Sequence, residues 1–207
     1  MKTLFTLAVA LCLTAGVASA ETVTYGWEDG GTILGMFPAD SVFPTNVTAP
    51  DPVYNGTASL KLEDNGGDGV TPQAFVAFVW GLQEGDVVSA GFWRYDDTPG
   101  VAPSCRVWGH WNNSLPADPD GYDGSASGNS DFGPGEGWDF TTFDFVVPAA
   151  TTGLVVECRT YSNAGDIVWI DDMVIIAPDD AFIQIPGSGP IGNDSRTWGG
   201  VKALYSN

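Results

Sequence analysis

Two adjacent carboxylates, Asp171 and Asp172, lie in the middle of "DIVWIDDMVI" (166–175), a segment that is otherwise mostly apolar and β-branched. Successive side chains of a β-strand point to opposite faces, so the two acids cannot share one solvated face. Burying a carboxylate without a partner is costly. Unless this strand lies at the edge of a sheet, the pattern indicates that at least one of the two acids has a cation beside it.

Three other segments alternate apolar residues with aromatic and ionisable ones: "VVSAGFWRY" (87–95), "CRVWGHW" (105–111) and "LVVECRTY" (154–161). In each segment one set of alternate positions is suited to the core: Val88, Ala90 and Phe92; Cys105, Val107 and Trp111; Val156 and Cys158. The opposite sets form the predicted ligand-binding face, with exposed rings on one sheet: Trp93, Tyr95, Arg106, Trp108, His110, Glu157, Arg159 and Tyr161.

This combination of side chains is typical of a carbohydrate site. Flat aromatic rings stack on the apolar face of a pyranose, arginine supplies a rigid fork of donors, and glutamate supplies only acceptors. The alternatives are structural: Glu157 and Arg159 could form an ion pair, and Trp108 could lie beneath the long loop that follows it.

Catalysis is not indicated. Acid pairs are common by chance in a chain with 26 Asp and Glu residues, so they are weak signs of glycoside hydrolysis. His110 is the only histidine, and no GxSxG nucleophile motif is present. A polysaccharide lyase or hydrolase built on a jelly roll is the enzymatic alternative.

Short β-rich runs separated by Gly, Asn, Asp and Pro position these residues, and helical periodicity is absent before the C-terminus. The pattern predicts an all-β fold, a two-sheet antiparallel β-sandwich of the jelly-roll type. The eight predicted strands are 22–27, 58–62, 73–79, 87–95, 105–111, 139–147, 154–161 and 167–176.

Four segments occur in the order seen in galactose-binding-like jelly rolls: "YGWEDGG", "NGTASLKLE", "GWDFTTFDFVVPAATTGLVVECRTY" and "VWIDDMVI". Residues 22–177 thereby resemble the carbohydrate-binding modules of secreted glycoside hydrolases. Members of that superfamily commonly hold a structural calcium between the first and last strands. The resemblance implies that Glu28 and Asp171 are ligands, with Asp172 a further candidate.

Calcium binds hard oxygen ligands, which agrees with this assignment. Two alternatives stay open. Asp29 could be the ligand in place of Glu28, or a turn former before two glycines, and Lys61 could form a salt bridge with Asp171 or Asp172.

The formal net charge of −19 disfavours nucleic acid and anionic membrane surfaces as partners. Poly- or oligosaccharides and divalent cations remain compatible with this charge as partners. The first 20 residues resemble a secretory signal peptide: Lys2, an apolar stretch, then Ala18, Ser19 and Ala20. We therefore expect a secreted, extracellular or cell-surface protein without membrane insertion.

Removal of residues 1–20 would leave Cys105 and Cys158, an even pair in an oxidising compartment. A disulfide and two buried thiols are both compatible with this pair. The expected domains are the signal peptide (1–20), a carbohydrate-binding-like sandwich (21–177), and a linker with a C-terminal tail (178–207).

Two segments have alternative interpretations. The polar, glycine-rich stretch 112–137 is either a functional loop or a mobile surface loop. The tail either packs on the sandwich or docks on a protein partner through residues such as Trp198 and Leu204. The leading function is a non-catalytic carbohydrate-binding protein stabilised by calcium, and the alternative is a structural or adhesive subunit of the cell surface or extracellular matrix.

Overall fold

The computed structural model describes residues 20–67, 69–96, 105–133, 136–160 and 164–187, together with the backbone of 191–192. Residues 1–19 of the predicted signal peptide and the tail beyond 192 lie outside these residues. Within them the chain forms strands and no helix, so no helix of membrane-spanning length and apolarity occurs in this part of the chain.

Thirteen strands are present in the described residues. They are β1 (Ala20–Tyr25), β2 (Gly35–Phe37), β3 (Val42–Thr48), β4 (Ala58–Asp64), β5 (Gln73–Trp80), β6 (Val87–Asp96), β7 (Cys105–Trp111), β8 (Gly124–Gly128), β9 (Gly137–Val146), β10 (Gly153–Thr160), β11 (Ile167–Pro178), β12 (Phe182–Gln184) and β13 (Ile191–Gly192).

The strands form two antiparallel sheets that pack as a sandwich, which confirms the predicted fold class. Sheet A has the order β3-β4-β11-β6-β9, and β1 also pairs with β11. Sheet B has the order β13-β12-β5-β10-β7-β8, and β2 also pairs with β5. The eight predicted strands are all found within one to two residues of their expected bounds.

The core lies between the sheets and follows the predicted alternation. Val88, Ala90 and Phe92 of β6 are buried in it, as are Val107 of β7 and Val156 of β10. The largest side chains that are fully buried there include Trp27, Phe92, Phe145, Leu60, Leu62, Ile170 and Ile175. The alternation therefore identified correctly which side of these strands faces the core.

Cys105 and Cys158 both face this core, as predicted, and both are free thiols. They lie on paired strands but not directly opposite each other, because Cys105 pairs with Thr160 and Cys158 pairs with Val107. Burial, together with the neighbouring Cys105, raises the pKa of the Cys158 thiol well above its ordinary value. Of the two alternatives that the sequence left open, the structure has two buried thiols.

The sandwich also extends beyond residue 177, where we expected the linker to begin. β12 pairs with the central strand β5, and it pairs on its other side with β13. Ala181, Ile183 and Ile185 are buried in the core, so every second residue of this segment faces inward. This period of two is the physical reason that the segment is a strand of sheet B rather than a linker.

Candidate functional site

The predicted ligand-binding residues divide between the two sheets. β6 belongs to sheet A, so Trp93 and Tyr95 lie on the outer face of that sheet. β7 and β10 pair with each other in sheet B, and their polar residues lie on its outer face. The prediction that the exposed rings share one sheet is therefore wrong. Tyr161 lies outside the described residues.

A buried ionisable network lies at the outer side of β7 and β10. Glu157 is fully buried, and its Oε1 is hydrogen-bonded to Nδ1 of His110. Nε of Arg159 donates to Oε2 of Glu157 over 2.6 Å. Both oxygens of the carboxylate are thus partnered, which satisfies the requirement for burying this charge. The predicted Glu157 and Arg159 ion pair is present, and His110 joins it.

Trp108 holds the arginines rather than presenting a free ring. The guanidinium groups of Arg159 and Arg106 lie 4.6 and 4.8 Å from its ring centroid. The ring is partly buried because β8 runs close beside it, so that a Cβ at Gly128 would lie 2.8 Å from Trp108 Cε3. The prediction that Trp108 is an exposed anchor is therefore wrong, since its neighbours cover the indole.

A pocket of about 460 Å³ opens on this face of sheet B. It is lined by Phe37, Gln73, Phe75, His110, Asp120, Tyr122 and Arg159. Tyr122 and Phe37 are 64% and 59% exposed, so two aromatic side chains border the pocket. His110 lies between the rings of Phe75 and Tyr122, with centroid distances of 5.3 and 5.4 Å. The arrangement combines apolar rings with planar polar groups.

The loop that follows β7 supplies Asp120 and Tyr122 to the pocket. The side chain of Asn112 shapes this loop, because its Nδ2 donates to the Asp118 carbonyl and its Oδ1 accepts from Ser114 N. Leu115 packs beneath the loop on Phe75, Phe78 and Val155, which form a small apolar cluster on the outer side of sheet B. In the described part of segment 112–137, the residues after β7 form a hydrogen-bonded loop beside the pocket, and residues 124–128 form β8.

Sequence reasoning did not identify five of the pocket residues: Phe37, Gln73, Phe75, Asp120 and Tyr122. Signals for two groups of them were present. Gln73 and Phe75 alternate along a predicted strand, and Asp120 and Tyr122 lie in the loop whose length marked it as a candidate. Phe37 belongs to the three-residue strand β2, which is too short to show a pattern.

The two adjacent acids of β11 lie at a bulge. Residues before them pair with β4, residues after them pair with β1, and the register with β6 shifts between Asp171 and Val174. Asp172 has a positive φ of 43°. The bulge interrupts the alternation, which explains how the chain accommodates two neighbouring carboxylates.

Backbone N–H groups are the partners of Asp171, which is fully buried. Its Oδ2 accepts from Tyr54 N (2.9 Å) and Asn55 N (3.1 Å), and its Oδ1 accepts from Asp172 N (2.7 Å). Burial raises the pKa of Asp171, and the neighbouring Asp172 adds to the rise, while these three hydrogen bonds oppose it. Lys61 forms no ion pair with either acid in the described part of the chain.

Glu28 comes from the other end of the chain, just after β1, which pairs with β11. Its carboxylate accepts from Thr57 N (2.8 Å), Thr57 Oγ1 (2.5 Å) and Ala58 N (3.1 Å), which lower its pKa. The neighbouring Asp29 instead accepts from the Tyr25 hydroxyl (2.6 Å) and from Gly31 N (3.0 Å). The carboxylate of Asp29 is therefore hydrogen-bonded within the turn at residues 25–31.

Of the three candidate metal ligands, Asp171 and Asp172 direct an oxygen toward Gly26, whereas the carboxylate of Glu28 is engaged by Thr57 and Ala58. A Cβ at this position would lie 3.2 Å from Asp172 Oδ1, 3.6 Å from Asp171 Oδ1 and 4.0 Å from Glu28 Cγ. The missing side chain leaves a small cradle beside two carboxylate oxygens, the donor type that calcium prefers. Among the described residues, no three His, Cys, Asp or Glu side chains are grouped closely enough to hold a metal alone. Backbone carbonyls and water would have to complete the coordination.

The sandwich is similar to several solved structures. The xylan-binding domain CBM22-1 of Paenibacillus barcinonensis Xyn10C is 14% identical, with 75% of this chain and 93% of that chain covered and a TM-score of 0.45. The K1 cleaved adhesin domain of Lys-gingipain from Porphyromonas gingivalis W83 is 19% identical, with coverages of 75% and 97% and a TM-score of 0.48. Its K3 domain is 14% identical, with coverages of 76% and 99% and the same TM-score.

Carbohydrate-binding modules of the β-sandwich type are thus among the solved structures to which this chain is similar. No protein-family model matches the chain, and no curated protein matches it in sequence. The likeness is one of fold. Evidence for the function therefore has to come from the side chains of this chain.

Proposed function

We propose that this chain is a secreted, non-catalytic carbohydrate-binding protein whose sugar site is the pocket on the outer face of sheet B. The observation that carries the proposal is the pair of exposed rings, Tyr122 and Phe37, at the border of a pocket that also contains Arg159 and His110. An exposed ring beside fixed planar polar groups is the arrangement that binds a pyranose, because its apolar face and its hydroxyl groups need different partners.

The polar side of the pocket is rigid before a ligand arrives. Arg159 is held at Nε by the buried Glu157 and is stacked on Trp108. A fixed guanidinium loses little rotamer freedom when a ligand accepts its hydrogen bonds, so less binding free energy is spent on ordering. Gln73 and Asp120 add an amide and a carboxylate, which between them both donate to and accept from hydroxyl groups.

The acids of the pocket favour binding over catalysis. Glycoside hydrolysis generally requires two carboxyl groups on either side of the scissile bond. Among the residues that line the pocket, Asp120 is the one acid. Glu157, which contacts the lining residues His110 and Arg159, is fully buried. Both of its carboxylate oxygens are engaged by these two residues. It is therefore poorly placed to exchange a proton with a sugar.

The cradle at Gly26 supports a structural calcium ion as part of the same proposal. Asp171 and Asp172 would contribute carboxylate oxygens, and Glu28 would contribute from the loop after β1. The cation would offset the burial of Asp171 and the repulsion by Asp172, which both raise the pKa of Asp171. Binding there would link segments from the two ends of the chain and so add to the stability of the fold.

Isothermal titration calorimetry with the neutral hexasaccharides xylohexaose and cellohexaose tests the proposal. We expect Tyr122→Ala to weaken binding by roughly three- to tenfold, since ring stacking contributes about 0.5–1.5 kcal/mol. Phe43→Ala is the matched control, because Phe43 is also an exposed ring but lies on β3 of sheet A.

Absence of binding to both hexasaccharides, or equal binding by the wild type and Tyr122→Ala, would overturn the sugar pocket. The structural or adhesive subunit would then be the better interpretation. A thermal melt of each variant checks that the exposed substitutions leave the fold intact.

A further inference from the structure

The outer face of sheet A carries a second aromatic surface, which the sugar pocket does not use. It consists of six rings in contact: Tyr54, Trp93, Tyr95, Trp138, Phe140 and Trp169. We call this surface the sheet A platform. It lies on the opposite side of the sandwich from the pocket, because β6, β9 and β11 belong to sheet A and the pocket strands belong to sheet B.

Two rings of the platform are accessible and lie close to the sheet. Phe140 is 41% exposed and covers Gly91, where a Cβ would lie 2.8 Å from Phe140 Cζ. Tyr54 is 40% exposed and stacks on Trp93, with the centroids 3.9 Å apart and the planes inclined by 15°. Gly91 thus leaves room for one ring against the backbone, and Trp93 supports the other.

The platform is built without a ligand. Tyr54 belongs to the loop before β4, and the buried carboxylate of Asp171 holds this loop through the N–H groups of Tyr54 and Asn55. Trp138 contacts Tyr54 from one side and Tyr95 from the other. A surface that is ordered in advance loses little conformational entropy on binding.

The surroundings of the platform select a neutral, hydroxyl-rich occupant. Thr142 and Asp144 follow Phe140 along β9, and Asn55 beside Tyr54 donates to Asp172. These groups accept or donate hydrogen bonds, and Lys61, which pairs with Trp169 across β4 and β11, adds one positive charge at the edge of the platform. With a net charge of −19, the chain repels anionic polymers and also a second copy of itself. Stacking on exposed rings remains the main available attraction.

We propose that the sheet A platform is a second carbohydrate-binding surface, which takes the flat faces of pyranose rings in a solid neutral polysaccharide. A pocket of about 460 Å³ suits a short length of a single chain, whereas the two exposed rings on the open face of sheet A, Tyr54 and Phe140, can stack on sugars displayed on a surface. Two surfaces on opposite faces allow the protein to hold a soluble chain and a solid polymer at the same time.

The test measures binding of the full chain to microcrystalline cellulose, insoluble xylan and chitin in a depletion assay. We expect Phe140→Ala and Tyr54→Ala each to weaken retention on at least one of these solids about threefold or more, with hexasaccharide binding unchanged. Phe43→Ala, an exposed phenylalanine on the same sheet, should retain wild-type binding. Tyr122→Ala separates the pocket from the platform, since it should weaken hexasaccharide binding selectively.

Each contrary result has a distinct meaning. If the solids retain Phe140→Ala and Tyr54→Ala as well as the wild type, or retain no protein at all, the platform proposal fails, and the hexasaccharide titration still decides the pocket. Ultracentrifugation tests whether a second copy covers the platform. If the wild type is a dimer, Phe140→Ala is a monomer, and the two proteins bind the solids equally well, the occupant is a second copy and the proposal fails. Selective loss of solid binding supports the platform even if the pocket binds no hexasaccharide.

Discussion

The backbone N–H of Tyr54 donates a 2.9 Å hydrogen bond to Oδ2 of Asp171, two residues that are 117 positions apart in the chain. This bond joins the bulge of β11 to the loop that places the Tyr54 ring on Trp93. It also shows that backbone donors, rather than a lysine, partner the buried acid. The adjacent carboxylates thus hold the loop from 51 to 57 through hydrogen bonds, and each has an oxygen near Gly26.

Replacing Asp171 should release this loop. Asp171→Ala leaves the N–H groups of Tyr54, Asn55 and Asp172 without their acceptor, and each buried donor left unsatisfied costs about 1–3 kcal/mol. We expect the free energy of unfolding in urea to fall by about 2–4 kcal/mol. Asp172→Asn is the control: it keeps an acceptor for Asn55 and tolerates the positive φ. Equal stability of the wild type and Asp171→Ala would contradict the anchoring role.

Chelation should lower the melting temperature if calcium occupies the cradle at Gly26. Because a ligand that binds only the folded state stabilises it by mass action, adding calcium back should restore the melting temperature in proportion to the logarithm of its concentration. Asp171→Ala should show little response to EDTA. Asp118→Ala, which removes an exposed acid from the loop after β7, should respond as the wild type does. Superimposable melting curves of the wild type with and without EDTA would end the calcium proposal.

Glu28 should contribute to acid sensitivity. Its hydrogen bonds with Thr57 and Ala58 lower its pKa below the ordinary value of 4.5 in the folded state. A lowered pKa in the folded state means that the stabilisation is complete above pH 4.5 and is lost as the pH falls through the lower value. Glu28→Gln should therefore flatten the melting temperature against pH in this acid range, whereas the exposed control Glu84→Gln should not. The same acid slope in Glu28→Gln and the wild type would exclude this role.

Arg94 should be a critical ion-pair residue. It is buried at the inner side of β6, where it donates to Asp139 (2.7 Å), to the Cys105 carbonyl (2.7 Å) and to Asp131. Because Asp139 is about one third exposed, Arg94→Met removes charge-assisted hydrogen bonds rather than a fully buried ion pair, and we expect the free energy of unfolding to fall by about 2–3 kcal/mol. Asp131→Asn should cost less than about 1 kcal/mol, because the Asp131 side chain is largely exposed. Urea unfolding of the two variants measures the difference, and similar losses would refute it.

The amino-acid sequence by itself determined the fold class, the bounds of the longer strands and the side of each strand that faces the core. These features depend on the period of two along one strand, which is local. Thus Phe92, Cys105 and Val156 were assigned correctly to the interior. The short strands β2 and β8 escaped detection because three to five residues without apolar alternation carry little signal.

Only the tertiary structure decided which outward-facing residues meet. Trp93 and Arg159 both alternate outward, but β6 pairs with β11 and β9 while β10 pairs with β5 and β7, so the two residues lie on opposite faces of the sandwich. Pairing depends on contacts between distant segments, which leave no trace in the pattern of a single strand. The same holds for Asp171, whose partners Tyr54 and Asn55 come from a loop more than a hundred residues away in sequence.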